Sequence, residues 1–83
     1  MATTISGKVT APEGSPVPDA VVELHNASDD VLTQIQVDEE GRYRFHVTEG
    51  LWQLKAWDPH GRRGEGKASV SNGEDRNLNV SIA

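Results

Sequence analysis

The sequence predicts an all-β protein, a β-sandwich of seven short, antiparallel-type strands. Apolar side chains do not recur at the i, i+3, i+4 and i+7 spacing of an amphipathic helix over any window of about ten residues. Period-two alternation between clusters of turn residues recurs along the chain instead. Each alternating segment has a single apolar face, and such strands bury that face by packing against a second sheet. Together these observations indicate a two-layer sandwich.

Period-two alternation assigns an inward apolar face to each strand. On the first strand, for example, Ile5 and Val9 point inward and Lys8 points outward. The predicted strands, with their inward residues, are 4–10 (Ile5, Val9), 20–26 (Ala20, Val22, Leu24), 31–37 (Val31, Thr33, Ile35, Val37), 42–47 (Tyr43, Phe45, Val47), 51–57 (Trp52, Leu54, Ala56), 67–71 (Ala68, Val70) and 76–82 (Leu78, Val80, Ile82).

Residues that favour turns separate these strands. Residues 11–19 contain three prolines, which lack the N–H donor that a central strand needs. The stretch "DEEG" at 38–41 predicts a hairpin turn, in which Gly41 is free to adopt positive φ. The Gly-rich, charged stretch "DPHGRRGEG" at 58–66 predicts a flexible surface loop, and "NGED" at 72–75 predicts a further turn.

Length and composition predict that residues 1–83 form one small domain. The chain has no cysteine, so it forms neither a disulfide nor a thiolate metal site. Its start, "MATTISGKVT", lacks the basic and apolar segments of a signal peptide, and no apolar stretch approaches membrane-spanning length. We therefore expect a cytoplasmic protein that does not bind membranes. An excised extracellular domain is the alternative.

The charge distribution argues against a nucleic-acid-binding protein. The net charge is −5, whereas such proteins usually present a basic surface. The charge is uneven: residues 1–41 contain one base and eight acids, and residues 42–83 contain seven bases and five acids. The second half is therefore the expected location of any site for anionic groups.

The residues that could carry chemistry form no recognisable catalytic or metal-binding pattern. The spacing of His25, His46 and His60 matches no metal-ligand motif, and we interpret them as surface residues. The acids at 29–30 and 38–40 lack the alternating spacing of a calcium loop. No serine lies in a nucleophile-elbow motif. The sequence therefore predicts no metal, no cofactor and no enzymatic activity.

The outward face of the fourth and fifth strands is the best binding candidate. If these strands pair as a hairpin, Arg42 lies opposite Trp57 as a cation–π pair, and Arg44 lies opposite Lys55. Two like charges in this arrangement favour an anionic partner between them. The alternative is that Trp57 packs under the loop at 58–66 and that nearby acids, Glu39, Glu40 or Asp58, neutralise the arginines. The predicted binding residues are Arg42, Arg44, His46, Gln53, Lys55 and Trp57.

The stretches "ISGKVTAPEGSPVPDAVVELHN" and "VDEEGRYRFHVTEGLWQLKAW" resemble the carboxypeptidase regulatory-like family of transthyretin-like (prealbumin-like) domains. The resemblance implies a seven-stranded Greek-key sandwich. It also implies a non-catalytic role, since family members are mostly accessory, adhesion or carbohydrate-binding modules. The residues that match the family pattern are Gly7, Val9, Ala20, Val22, Leu24, Asp38, Gly41, Tyr43, Phe45, Gly50, Trp52 and Leu54.

A narrower resemblance concerns the Gly-x-Trp-x-Leu-x-Ala stretch at 50–56 and the Gly-rich segment after it. These features are similar to a small bacterial family often encoded beside rhodanese-type thiosulfate sulfurtransferases. That resemblance implies an accessory to sulfur transfer, although a chain without cysteine cannot itself carry a persulfide. Our leading hypothesis is a module that binds a protein partner, and the alternative is a carbohydrate-binding module. The oligomeric state cannot be read from the sequence.

Overall fold

A computed structural model describes residues 3–83, so residues 1 and 2 of the predicted domain lie outside the described part. Residues 3–83 contain no helix, and eight strands account for the regular structure. The strands are β1 (Thr4–Thr10), β2 (Val21–His25), β3 (Val31–Gln36), β4 (Arg42–His46), β5 (Gly50–Trp57), β6 (Arg63–Val70), β7 (Asp75–Asn77) and β8 (Val80–Ser81). No segment of residues 3–83 is a helix of the length and apolar character needed to cross a membrane.

The strands form the two sheets of a β-sandwich, which confirms the predicted fold class. The first sheet has the order β4-β1-β7, with β8 also paired to β1, and the second has the order β3-β2-β5-β6. The predicted last strand is split into β7 and β8, which is why the described strands number eight rather than seven. Both of these strands run parallel to β1, so the first sheet is mixed rather than purely antiparallel.

The apolar faces of the two sheets meet in one core. Ile5 and Val9 of β1 and Tyr43 and Phe45 of β4 are buried from the first sheet, as predicted. The second sheet contributes its own buried residues, which are Val22, Leu24, Leu54, Ala56, Ala68 and Val70. Trp52 was predicted to lie inside but is only partly buried. It packs at the edge of the core, and its Nε1–H donates to the carbonyl of Thr48 over 2.8 Å.

Three turns of the same construction join strands at 26–30, 38–42 and 58–62. In each, the side-chain oxygen of the first residue (Asn26, Asp38 or Asp58) accepts N–H groups two and four residues later over 2.9–3.0 Å. The fourth position has positive φ: Gly41 (76°), Gly61 (87°) and, unusually for a residue with a side chain, Asp29 (65°).

The turn predicted at 38–41 is present, but the hairpin pairing predicted with it is wrong. The turn forms, but it joins β3 of the second sheet to β4 of the first, so these two strands do not pair. The turn packs closely under β1, because a Cβ atom on Gly41 would lie 2.8 Å from the carbonyl oxygen of Val9. The glycine is therefore required both for its conformation and for the space it leaves.

The sandwich is closed along one side and open along the other. On the closed side, Arg63 at the start of β6 exchanges both backbone hydrogen bonds with Ala83, over 3.2 and 3.0 Å. The predicted loop at 58–66 is correct only in its first part: residues 58–62 form a turn, whereas residues 63–66 belong to β6. On the open side, β3 and β4 are the two free edges, and a groove lies between them.

Candidate functional site

The predicted binding residues do not share one face, because the hairpin pairing that grouped them is wrong. β4 pairs with β1, and β5 pairs with β2 and β6. Arg42, Arg44 and His46 therefore lie exposed on the outside of the first sheet. Gln53, Lys55 and Trp57 lie half-buried on the outside of the second sheet, on the other side of the core. The proposed Arg42–Trp57 and Arg44–Lys55 contacts do not occur.

A like-charge pair is nevertheless present, between different residues. Lys8 of β1 lies directly opposite Arg42 of β4, and Arg44 follows two residues along, opposite Ser6. Side chains that face each other in such a pair are about 5 Å apart at their Cβ atoms, and like charges there are destabilising. We call Lys8, Arg42, Arg44 and His46, all exposed, the basic face.

Acids next to the basic face neutralise it only in part. Glu40 contacts Arg42 over 2.9 Å, and Asp75 of β7 is engaged by the Thr4 hydroxyl. Asp38 turns one oxygen toward the backbone N–H groups of Arg42 and Glu40. These hydrogen bonds, helped by the charges of Arg42 and Lys8, hold the pKa of Asp38 below its ordinary value. The predicted neutralisation of an arginine by Glu40 thus applies to Arg42.

A groove of about 650 Å³ runs between the basic face and the open edge of the sandwich. Lys8, Arg42 and Arg44 line it, together with the amide side chains of Asn77 and Asn79. Asn79 is held in place, since its Oδ1 accepts the backbone N–H of Lys8 over 3.0 Å. The groove thus combines positive charge with amide groups that both donate and accept hydrogen bonds.

The second sheet has a separate groove, of about 600 Å³, which we call the Trp57 groove. Trp57 lies between Val21 of β2 and Arg63 of β6 in the register of the sheet. Two residues earlier in β5, on the same face of the sheet, Lys55 lies between Glu23 and Glu65. Charges of both signs therefore surround an aromatic side chain that is partly open to solvent.

His25 is buried, which corrects the prediction that it is a surface residue. Only 4% of the residue is exposed, because the turn at 26–30 folds over it. Its Nε2 lies 3.1 Å from a Glu23 carboxylate oxygen, and its Nδ1 lies 3.0 Å from an Asp29 carboxylate oxygen. Asp29 also contacts the Lys55 ammonium at 3.3 Å. The hydrogen bond from Lys55 is the largest cause that holds the pKa of Asp29 below its ordinary value, and the positive charge of Lys55 and the contact with His25 add to it.

This polar cluster does not form a metal site. No group of three or more histidine, cysteine or acidic side chains within residues 3–83 has the arrangement needed to hold a metal ion. The cluster instead consists of polar groups that satisfy one another: the His25 ring lies between the carboxylates of Glu23 and Asp29, and the Lys55 ammonium contacts Asp29. It supports the turn at 26–30 and one end of β2.

Sequence reasoning missed several residues of the two surfaces. The outward position of Lys8 follows from the alternation of β1, but its neighbours Arg42 and Asn77 become visible only once β1 is known to pair with β4 and β7. Arg63 and Glu65 were assigned to a loop because glycines interrupt the apolar pattern there. A signal for β6 was present all the same: Arg63, Glu65 and Lys67 alternate with small residues.

The protein is thus a small β-sandwich with one groove at its open edge and one on the second sheet, and polar side chains line both grooves. The chain belongs to the carboxypeptidase regulatory-like domain family, whose model matches residues 4–83. Domains of this family are transthyretin-like or immunoglobulin-like modules and are generally non-catalytic. No curated protein sequence matches the chain.

The structure explains several residues of the family pattern. Tyr43 and Phe45 pack together in the core with ring centroids 5.8 Å apart. Asp38 and Gly41 build the turn before them, one as hydrogen-bond acceptor and the other at positive φ. Gly7 leaves room for the chain at Leu78. These residues maintain the fold, so the match by itself assigns no ligand.

Proposed function

We propose that this protein is a non-catalytic accessory module that binds an acidic surface of a protein partner through its basic face. The observation that carries the proposal is the like-charge pair of Lys8 and Arg42, with Arg44 beside it, on a chain whose net charge is −5. Such an arrangement costs stability in the free protein, and carboxylates of a partner would relieve that cost.

The amide groups around the basic face support the same proposal. Arginine forms two parallel hydrogen bonds to a carboxylate, and Asn77 and Asn79 add donors and acceptors next to the charges. In such a contact, complementary charges guide the two proteins together, so they raise the association rate more than they raise the affinity. The association rate should therefore fall as the salt concentration rises.

The first partner to test is a rhodanese-type thiosulfate sulfurtransferase from the same source, which the narrower sequence resemblance suggests. Binding of the two purified proteins can be measured by titration calorimetry for wild type and for a Lys8→Glu/Arg44→Glu variant. We expect the double reversal to weaken binding at least about tenfold and added salt to weaken the wild-type complex.

A matched control reverses charge on the opposite sheet. Lys67→Glu, at an exposed position of β6, leaves the basic face intact, so the proposal requires it to bind like wild type. Affinity purification with wild type, the double variant and the control variant as baits extends the test to other partners. If the two variants retain every partner that wild type retains, the basic face is not the binding site.

Carbohydrate binding is the second candidate function, and the Trp57 groove favours it. A partly open indole can stack on a sugar ring, and Glu23, Lys55 and Glu65 around it can hydrogen-bond sugar hydroxyls. Arg42 and His46, two of the predicted binding residues, lie on the other sheet and are too far away to contribute to this groove.

Tryptophan fluorescence tests this second candidate directly. The chain has two tryptophans, so Trp52→Phe makes Trp57 the sole indole fluorophore. A glycan panel titrated against this variant should change its emission, and Glu65→Gln should weaken the response. An unchanged spectrum with every glycan would exclude stacking on Trp57.

A further inference from the structure

The turn that joins β6 to β7 carries an asparagine–glycine pair in an unusual setting. Glu74 N–H donates to the carbonyl of Ser71 over 3.0 Å, which places Asn72 and Gly73 at the two central positions of the turn. Gly73 has a φ of 81°, and Asn72 is exposed to solvent. An asparagine side chain followed by glycine is the arrangement most open to attack by the next backbone nitrogen, since no side chain hinders the approach.

The Thr3 hydroxyl contacts both groups that such a reaction would join. Gly73 N–H donates to Thr3 Oγ1 over 2.8 Å, and Thr3 Oγ1 in turn donates toward Asn72 Oδ1 over 3.4 Å. Thr3 is held firmly, because only 6% of it is exposed and its carbonyl accepts the N–H of Val47 over 2.9 Å. One fixed hydroxyl thus bridges the nucleophile and the electrophile.

We propose that Asn72 is a site of spontaneous deamidation and that the Thr3 hydroxyl promotes the ring closure as a proton relay. Gly73 N attacks Asn72 Cγ and forms the new C–N bond, while Thr3 Oγ1 accepts the proton of that nitrogen and donates its own to Oδ1. The intermediate then collapses: the proton on Oδ1 passes to Nδ2, the Cγ–Oδ1 double bond re-forms, the Cγ–Nδ2 bond breaks, and ammonia leaves. Water hydrolyses the resulting succinimide to aspartate or isoaspartate.

The other asparagines provide a comparison within the same molecule. Asn26 Oδ1 is held by the N–H groups of Ser28 and Asp30, over 2.9 and 3.0 Å. Asn77 and Asn79 precede leucine and valine, whose side chains obstruct the attack. Asn72 is the asparagine that precedes glycine. Conversion is therefore expected to concentrate at this position.

Conversion would place a new negative charge beside Glu74 and Asp75. The turn also anchors the start of the first sheet, because Thr4 N–H donates to the carbonyl of Glu74 over 2.9 Å. Isoaspartate lengthens the backbone by one carbon and would disturb this anchor. The converted protein should therefore unfold at a lower temperature than the fresh protein.

The test is to incubate folded wild type, Thr3→Val and Thr3→Ser in mildly alkaline buffer and to follow Asn72 and Asn77 by peptide mass spectrometry. We expect wild type and Thr3→Ser to convert Asn72 much faster than Asn77. Thr3→Val, which keeps the shape but lacks the hydroxyl, should convert Asn72 at least about tenfold more slowly. Equal conversion at the two asparagines, or a Thr3→Val rate that matches or exceeds wild type, would overturn the proposal.

A parallel incubation in concentrated urea separates the relay from a change in folding. The relay needs the native contact between Thr3 and the turn, so wild type and Thr3→Val should convert at the same rate when unfolded. A difference that persists in urea would contradict a role for the native geometry.

Discussion

Gly7 is the residue where a missing side chain matters most. It lies on the inward side of β1, and a Cβ atom there would be 2.0 Å from the carbonyl oxygen of Leu78. The gap lets the chain between β7 and β8 cross close to β1, within reach of the Tyr43 hydroxyl, which donates to that same carbonyl. A single glycine thus allows the last two strands and the core tyrosine to meet.

We predict that Gly7→Ala destabilises the protein by about 3 kcal/mol, because overpacking against a backbone carbonyl cannot be relieved by a side-chain rotation. Gly66→Ala is the control. It also lies in a strand, but its Cβ would meet the flexible Leu78 side chain at 3.2 Å. Urea denaturation measures both variants, and equal destabilisation would show that strand glycine itself, and not the contact, sets the cost.

Tyr43 should make the stability depend on alkaline pH. Burial raises the pKa of its phenol above the ordinary value. The stabilisation is therefore fully present below about pH 10, the ordinary phenol pKa, and is lost as pH rises above it. As the chain has one tyrosine, phenolate absorbance reports it alone. Tyr43→Phe should lose about 1 kcal/mol at neutral pH and abolish that part of the alkaline dependence.

At the scale of elements, three turns with the same hydrogen-bond pattern determine where strands β2, β3 and β5 end. The turns at 38–42 and 58–62 share the pattern Asp-x-x-Gly-Arg, and the turn at 26–30 substitutes Asn26 for the first residue and Asp29 for the glycine. The sequence predicts a turn at 38–41, a loop that includes 58–62, and a break between strands at 27–30. It does not say which of them joins strands within a sheet and which crosses between sheets.

The turn at 58–62 should make the fold sensitive to acid. Burial by itself raises the pKa of the Asp58 carboxyl, but the hydrogen bond from the Arg62 side chain, with the N–H groups of Arg62 and His60, outweighs burial and lowers the pKa. Since the folded pKa is depressed, the stabilisation is fully present above about pH 4, the ordinary carboxyl pKa, and is lost as pH falls below it toward the folded pKa.

Asp58→Asn should therefore lower the thermal midpoint at neutral pH and flatten its fall in acid, as followed by circular dichroism. The variant keeps Oδ1 as the acceptor for the backbone N–H groups, but it removes the charge and replaces Oδ2, which accepts Arg62 Nε–H over 2.6 Å, by an NH2 group. Glu49→Gln, an exposed acid, is the control and should change neither quantity. An acid profile of Asp58→Asn that superimposes on wild type would assign the acid sensitivity to other groups.

β3 shows where alternation fails as a guide to burial. Val31 and Thr33 were predicted to face inward but are exposed, whereas Val37, just beyond the strand, is buried as predicted. β3 is an edge strand of the second sheet, and a bulge between Leu24 and His25 shifts its register against β2. Position in the sheet, which depends on the other strands, therefore decides how much of its apolar face is covered.

For the whole molecule, closure on one side should make the two sides unequal in stability. Ile82 is fully buried on the closed side, next to the Arg63–Ala83 pairing, whereas Leu32 on the open edge is 54% exposed. We predict that Ile82→Ala costs about 3 kcal/mol and Leu32→Ala no more than about 0.5 kcal/mol in chemical denaturation. Comparable losses would mean that the open edge is covered in solution.

The sequence by itself determined which residues point inward on most strands, where the turns fall, and the family to which the chain belongs. These features are local: side-chain alternation and turn chemistry act over a few residues. Only the tertiary structure decided that β4 pairs with β1 while β5 pairs with β2 and β6. Strand pairing joins residues that are far apart in the chain. Arg42 and Trp57, which the alternation pattern predicted to be neighbours, therefore lie on opposite faces of the sandwich. The residue opposite Arg42 is Lys8 instead of Trp57.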